Sequence, residues 1–188
     1  AIVLGKDQTE ITDVIAPYVT FKKALVFNVV LVAEERLPVA LSGGLKVIPH
    51  FSFSQLDSTL GREPDLIIVP NIPDIRSNEA SRLWIQQHGH GKSMVMSICA
   101  GAAMLAATGL LDGQMATTHW GDILWIEPSY PKVHWVKGQR YVDTGQYIST
   151  AGILSGIDGS LHMIERMSSR VVAEQVAKEL HYSIQYLE

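Results

Sequence analysis

Short apolar runs alternate along the chain with stretches whose apolar residues recur at helical spacing. The apolar runs predict strands that are buried on both faces, at residues 1–4, 28–32, 65–69 and 93–98. The helical spacing predicts amphipathic helices at residues 9–18, 54–60, 77–88, 157–164 and 172–180. This alternation favours an α/β fold in which helices cover both faces of a mainly parallel sheet.

Turn residues predict the shorter elements. Ser42-Gly43-Gly44 and Asp143-Thr144-Gly145 each separate two short apolar segments, which predicts two hairpins. Short strands are also predicted at residues 115–118 and 133–136, with a helical turn at 120–125 between them. Because no linker, repeat or low-complexity segment interrupts this order, we expect one domain over residues 1–188.

A lone cysteine lies where the pattern changes from strand to helix. Cys99 follows the run at 93–98 and precedes Ala100, Gly101 and a stretch of strong helix formers that ends at Gly109. Small residues around a reactive side chain at a tight strand-to-helix turn are typical of a nucleophile elbow. A helix N-terminus behind the thiol predicts a lowered pKa. The alternative is a small buried apolar residue, which free cysteine often is.

Two other residues are candidates for chemistry with Cys99. His119 follows a predicted strand and could take the proton of the thiol, although a lone histidine is often structural. Asp13 follows the first strand, and the carboxyl ends of parallel strands share one rim of the sheet. Asp13 could therefore act on the thiol as a proton shuttle, or it could only complement a helix dipole.

Two further groups have structural interpretations. Ser155 and Asp158 fit a capping box at the start of a helix. His88 and His90 flank Gly89 in a predicted loop, which is a weak metal-binding pattern, and the other histidines lack metal-ligand spacing. Without a P-loop or a Gly-x-Gly-x-x-Gly motif after a strand, we expect neither a nucleotide cofactor nor a metal.

Composition excludes several classes of protein. A formal charge of −4 argues against a nucleic-acid surface, and one cysteine excludes an internal disulfide. No apolar run has the length of a membrane span, and no signal-peptide pattern opens the sequence, so we expect a cytoplasmic protein. The chain begins directly in an apolar strand, which leaves room for an upstream segment.

Taken together, the motifs resemble those of the ThiJ/PfpI superfamily, which has the class I glutamine amidotransferase-like (flavodoxin-like) fold. The resemblance covers almost the whole chain and rests on residues 1–4, 12–18, 65–70, 97–102, 109–113, 116–120 and 150–158. It implies that Cys99 is the reactive cysteine, that Asp13 is the acid that hydrogen-bonds it, and that His119 is the histidine found beside it in some members. It also implies a homodimer.

The resemblance further implies a substrate or oxyanion pocket at the rim beside the elbow. The residues that correspond to this pocket are Ala100, Gly101, Asn71, Ile72, Thr118, Trp120 and Gly152. The sequence departs from family patterns in two places here. Protease-like members have histidine and isonitrile hydratases have threonine where this chain has Ala100, and many members have Gly-Gly where it has Asn71-Ile72-Pro73.

These features lead to two expectations about function. The first is a cysteine-dependent hydratase or hydrolase acting on a small electrophile, without peptidase activity, because the adjacent histidine and the Gly-Gly pair are both replaced. The second is a non-catalytic ligand-sensing domain, since residues 116–188 look most like the domain that precedes the helix-turn-helix pair in AraC-type regulators. A small-molecule ligand is expected in both cases, with no nucleic-acid contact from these residues.

Overall fold

The computed structural model describes residues 1–152 and 154–183, so that Ile153 of the last motif lies outside the described residues. The strands are β1 (Ile2–Val3), β2 (Leu31–Ala33), β3 (Val39–Ala40), β4 (Lys46–Val47), β5 (Phe51–Ser52), β6 (Leu66–Val69), β7 (Met94–Ile98), β8 (Met115–Ala116), β9 (His134–Trp135), β10 (Tyr141–Asp143) and β11 (Tyr147–Thr150). The helices are α1 (Ile11–Lys23), α2 (Phe53–Leu60), α3 (Glu79–Gly89), α4 (Gly101–Ala107), α5 (Ile123–Ser129), α6 (Ser155–Met167) and α7 (Arg170–Glu179).

Seven strands form the main sheet, in the order β10-β11-β7-β6-β1-β2-β5. Neighbouring strands are parallel except for the edge pair β10 and β11, which is antiparallel. This topology confirms the predicted fold class. The elbow strand β7 lies between β6 and β11, so its carboxyl end opens in the interior of the sheet rather than at an edge. Strand β5 was not predicted, because two residues are too few to show a period.

Helices cover both faces of the sheet, as predicted. On one face α1, α6 and α7 bury Val14, Leu161 and Val176 against the strands. On the other face α2, α3 and α4 pack through residues such as Trp84 and Met104. Each of these buried side chains contributes about 1.5–3 kcal/mol relative to exposure. None of the helices in the described ranges is long and apolar enough to cross a membrane.

The two predicted hairpins are both present, one formed by β3 and β4 and the other by β10 and β11. The predicted capping box is wrong. Helix α6 begins at Ser155 itself, whose hydroxyl donates to the carbonyl of Gly152 at 3.0 Å. The carboxylate of Asp158 instead accepts hydrogen bonds from Arg140 Nε at 2.6 Å and from the Tyr182 hydroxyl at 2.9 Å.

The predicted loop at residues 88–90 is also corrected. His88 belongs to the last turn of α3 and is buried, with its Nε2 atom 3.2 Å from Asp57 Oδ1. Asp57 also accepts a hydrogen bond from the indole of Trp84 at 3.1 Å. His88 therefore packs between α3 and α2, and the hydrogen bond from Trp84 to Asp57 links these two helices.

Candidate active site

The backbone at Cys99 adopts the strained turn that the sequence predicts. Its φ angle is +56°, in the left-handed region that costs a residue with a side chain about 1–2 kcal/mol. Two hydrogen bonds hold it there: the Cys99 N–H donates to the carbonyl of Thr150 at 3.1 Å, and the Cys99 carbonyl accepts from the Thr118 hydroxyl at 2.9 Å. Thr118, which was predicted to line a substrate pocket, thus also anchors the elbow.

Two glycines make room for the elbow. A Cβ atom on Gly101 would lie only 2.6 Å from the carbonyl oxygen of Pro70, so the start of α4 packs directly on the chain that follows β6. Gly152 has a φ angle of +62°, and a Cβ atom there would lie 2.8 Å from Cys99 Cα. Close approach of backbone on both sides of Cys99 therefore requires these small residues.

Cys99, His119 and Asp122 come together at the rim of the sheet. The Cys99 sulfur, a ring nitrogen of His119 and a carboxylate oxygen of Asp122 all lie within 4.8 Å of one another. His119 Nδ1 is 2.9 Å from Asp122 Oδ2, and the indole of Trp125 donates to Asp122 Oδ1 at 3.1 Å. A nucleophile, a histidine and a carboxylate are the side chains of a catalytic triad, in which the nucleophile and the carboxylate bind opposite nitrogens of the ring. Here the contact of Asp122 with Nδ1 is formed, whereas Cys99 approaches the ring without a hydrogen bond to it among the described residues.

Asp122 is the candidate functional residue that the sequence pattern did not single out. It lies three residues after His119, in a tight turn where the N–H groups of Asp122 and Ile123 both donate to the His119 carbonyl, at 3.0 and 3.1 Å. The predicted helical turn at 120–125 is displaced, because this turn comes first and α5 begins only at Ile123. A His-x-x-Asp spacing was the available signal.

Asp13 is fully buried in the first turn of α1. Its Oδ2 atom accepts a hydrogen bond from the backbone N–H of Asn71 at 3.0 Å, whereas its Oδ1 atom finds no hydrogen-bond partner among the described residues. Burial raises the pKa of the Asp13 carboxyl to about 7, against the opposing effect of the Asn71 hydrogen bond. The expected hydrogen bond from Asp13 to Cys99 is not formed, and the carboxylate acts on the thiol through its charge.

The predicted lowering of the Cys99 pKa is wrong. Burial raises the pKa of the thiol to about 12, and the negative charge of Asp13 adds to this effect. The backbone N–H of Ala100 favours the thiolate, but it is outweighed by burial and by the further charges of Asp122 and Glu10. The resting thiol is therefore neutral and needs a base to react.

Two cavities open beside this cluster. The larger, of about 960 Å³, lies between the ends of α3, α4 and α5 and includes Asp122 and Trp125. The smaller, of about 380 Å³, lies against Arg140 and the start of α6. Cys99 is buried and lines neither cavity itself, whereas Ala100 borders the first cavity and Gly152, which packs on Cys99, borders the second.

The residues predicted to line a pocket divide between these cavities. The larger cavity is lined in part by Asn71, Ile72 and Ala100, and the smaller by Thr118, Trp120 and Gly152. Gly101 lines neither of the two, since it packs against Val69 and Pro70. The structure thus gathers all but one of these residues on one rim of the sheet.

A parallel sheet with a cysteine elbow at its rim defines a class of proteins to which this chain can be compared. The family model of the DJ-1/PfpI family matches residues 1–166, and the chain belongs to the DJ-1/PfpI family. Isonitrile hydratase from Pseudomonas putida is 29% identical over 181 residues, which cover 94% of this chain and 75% of that protein.

Regulators and solved structures are similar as well. The HTH-type transcriptional regulator CdhR from Pseudomonas aeruginosa is 28% identical over 144 residues, which cover 76% of this chain but only 41% of the regulator. The crystal structure of a ThiJ/PfpI family protein from Pseudomonas syringae superposes with a TM-score of 0.84 at 22% identity, covering 100% of this chain and 76% of that one. The chain is therefore similar both to a protein named as a hydratase and to a protein named as a transcriptional regulator.

Proposed function

We propose that the protein is a cysteine-dependent hydratase or hydrolase that acts on a small electrophilic molecule. The observation that carries this proposal is the approach of Cys99, His119 and Asp122 to within 4.8 Å of one another. A neutral thiol with a raised pKa reacts only where a base receives its proton during attack, and His119 is the neighbouring base.

The reaction begins with addition of the Cys99 sulfur to an electrophilic carbon that carries a multiple bond to nitrogen, such as that of an isonitrile. A carbon–sulfur bond forms, the thiol proton passes to His119, and the electrons of the attacked multiple bond move onto the substrate. The proton then returns from His119 to the substrate. Water adds to the same carbon in a second step, and its attack releases the sulfur as the thiol. Asp122 orients the imidazole and stabilises its cationic form.

Asp13 supports the same chemistry through its charge and its proton. Its pKa of about 7 lets it exchange a proton near neutral pH, and its protonated form removes a negative charge that opposes thiolate formation. The Ala100 N–H favours the thiolate at the same point. Because these residues act on the sulfur and not on the rest of the substrate, the shapes of the two cavities determine which substrate binds.

Peptidase activity is not expected. Amide hydrolysis needs a strong set of donors for the developing oxyanion. The Asn71 N–H is already bonded to Asp13, and Pro73 has no N–H to offer. An addition reaction on a small substrate demands less of the site. The absence of casein cleavage by the purified protein is the measurement that checks this expectation.

Ligand sensing without turnover is the second candidate. It is favoured by the match to CdhR, a named transcriptional regulator, over 76% of this chain. The chain spans 41% of that regulator, so regulation of transcription would be a property of a longer protein. The same two cavities would hold the ligand, and a homodimer remains the expected assembly in both cases.

One experiment separates these candidates. Purified wild type, Cys99→Ala, His119→Ala and Asp122→Asn are compared on a panel of small isonitriles and aldehydes, with His134→Ala as a control at an exposed histidine on β9. Catalysis predicts turnover that His119→Ala lowers by about 10²–10⁴-fold, that Cys99→Ala abolishes, and that the control retains. Ligand-induced thermal stabilisation that is equal in wild type and Cys99→Ala, without turnover, would favour the sensor.

A further inference from the structure

The Cys99, His119 and Asp122 cluster offers three kinds of donor atom to one point in space. The donors are a thiol sulfur, a ring nitrogen and a carboxylate oxygen, which are the protein ligands that Zn²⁺ uses. Among the described residues this is the only group of three such side chains close enough to share an ion. Mg²⁺ and Ca²⁺ prefer sites made of oxygen alone, so the donor set favours zinc.

The spacing of the three donor atoms suits a zinc ion after small side-chain movements. Bonds of about 2.0–2.3 Å in a tetrahedron place neighbouring ligand atoms roughly 3.3–3.8 Å apart. The donor atoms here are at most 4.8 Å apart, so rotations that shift each by about 1 Å complete the arrangement. Three protein ligands leave the fourth position to water, as in open zinc sites.

Solvent access to the cluster and the negative charge around it also favour the binding of a cation. The side chains of His119 and Asp122 are 26% and 33% exposed, which gives an ion an entry route from solvent, whereas Cys99 closes the inner end. The carboxylates of Asp13, Asp122 and Glu10 all act on the Cys99 sulfur with negative charge. A divalent cation at this point offsets that repulsion, and Asp13 Oδ1 is buried nearby without a hydrogen-bond partner.

We propose that Cys99, His119 and Asp122 form a three-ligand Zn²⁺ site whose occupation reversibly blocks the reactive cysteine. Zinc binding forms a zinc–sulfur bond and breaks the sulfur–hydrogen bond, and the proton passes to solvent without any change in oxidation state. The ion also engages the imidazole that would otherwise serve as the base. The blocking effect rests on the proposed function, whereas the binding site itself does not.

The test measures metal binding directly. Metal-free protein is titrated with Zn²⁺ alone in competition with a colorimetric chelator, and with Co²⁺ as a spectroscopic probe of sulfur ligation. We expect one Zn²⁺ per chain and a sulfur-to-cobalt charge-transfer band. Cys99→Ser, His119→Ala and Asp122→Asn should each weaken Zn²⁺ binding by at least about tenfold, and Cys99→Ser should remove the band. His134→Ala should bind as wild type does.

The controls keep the result interpretable. The thermal unfolding midpoint of each metal-free variant establishes that it is folded before its affinity is compared. Unchanged Zn²⁺ affinity in Cys99→Ser, or the absence of a cobalt–sulfur band in wild type, would overturn the proposed site.

Activity assays separate this inference from the proposed function. Turnover that excess Zn²⁺ inhibits and a chelator restores supports both proposals. Zinc binding lost in the three variants, in a protein without turnover on any small electrophile, supports the site and contradicts the proposed catalysis. Turnover without zinc binding contradicts the site alone.

Discussion

Replacement of Gly152 by alanine tests how tightly the loop after β11 packs on the elbow. The φ angle of +62° at Gly152 costs alanine about 1–2 kcal/mol. The added Cβ atom would also lie 2.8 Å from Cys99 Cα and 3.0 Å from Cys99 Sγ, and relief of such overpacking costs about 1–3 kcal/mol. We expect Gly152→Ala to lower the free energy of unfolding by about 2–5 kcal/mol.

Gly61→Ala is the matched control. Gly61 ends α2 with a φ angle of +59°, almost the same backbone conformation, but no atom lies within 4 Å of the position of its Cβ atom. This variant therefore carries only the conformational cost, about 1–2 kcal/mol. The difference between the two variants isolates the overlap with Cys99.

Urea denaturation of both variants beside wild type measures these differences. The reaction of Cys99 with iodoacetamide under native conditions reports whether the elbow has moved, and we expect faster alkylation in Gly152→Ala only. Equal stability losses in the two variants, to within about 0.5 kcal/mol, would refute the reasoning that backbone contact at Gly152 holds the elbow.

Three further predictions concern buried charge. The pKa of Asp13 is about 7 in the folded protein and ordinarily 3.8, so ionisation of this residue lowers the free energy of unfolding by up to about 4 kcal/mol as pH rises from 4 to 7. Asp13→Asn should therefore gain stability over wild type between pH 5 and pH 8, and a pH-independent difference between the two proteins would contradict this. The midpoint of the pH dependence of Cys99 alkylation should lie well above 9, the ordinary pKa of a thiol, and a midpoint at or below 9 would contradict burial as the controlling effect. Asp158→Asn should lower the free energy of unfolding in urea by about 1–3 kcal/mol, because the buried Asp158 carboxylate binds Arg140. Asp112→Asn, at an exposed ion pair, should lower it by about 0–1 kcal/mol, and equal losses would contradict the role of burial.

The local pattern of apolar and polar residues was sufficient to predict most of the fold. The apolar run before Cys99 and the alanine-rich stretch after it predict β7 and α4, because burial on both faces and high helix propensity are properties of the segment itself. Strand β5 was missed because it has two residues and is defined by pairing with β2. The periodicity of apolar residues along one segment does not reveal which strand that segment pairs with.

The site was less accessible to sequence reasoning for the same reason. The sign of the Cys99 pKa shift depends on burial and on carboxylates that the fold brings from distant parts of the chain, chiefly Asp13. Asp158 has a spacing that fits a capping box, and only the fold brings it to Arg140 and Tyr182. Asp122 could have been found by its spacing from His119, but its contact with the elbow follows from the path of the chain between β8 and α5.

The turn at residues 119–122 carries both the proposed base and its carboxylate, while the proposed nucleophile is fixed elsewhere. Cys99 is held by the backbone of Thr150 and by the hydroxyl of Thr118, and neither contact involves His119 or Asp122. Under the proposed function, substitutions confined to these four residues would therefore convert a reactive site into an inert binding pocket, or restore it, with the elbow intact. A scaffold built in this way gives evolution a short path between an enzyme and a sensor.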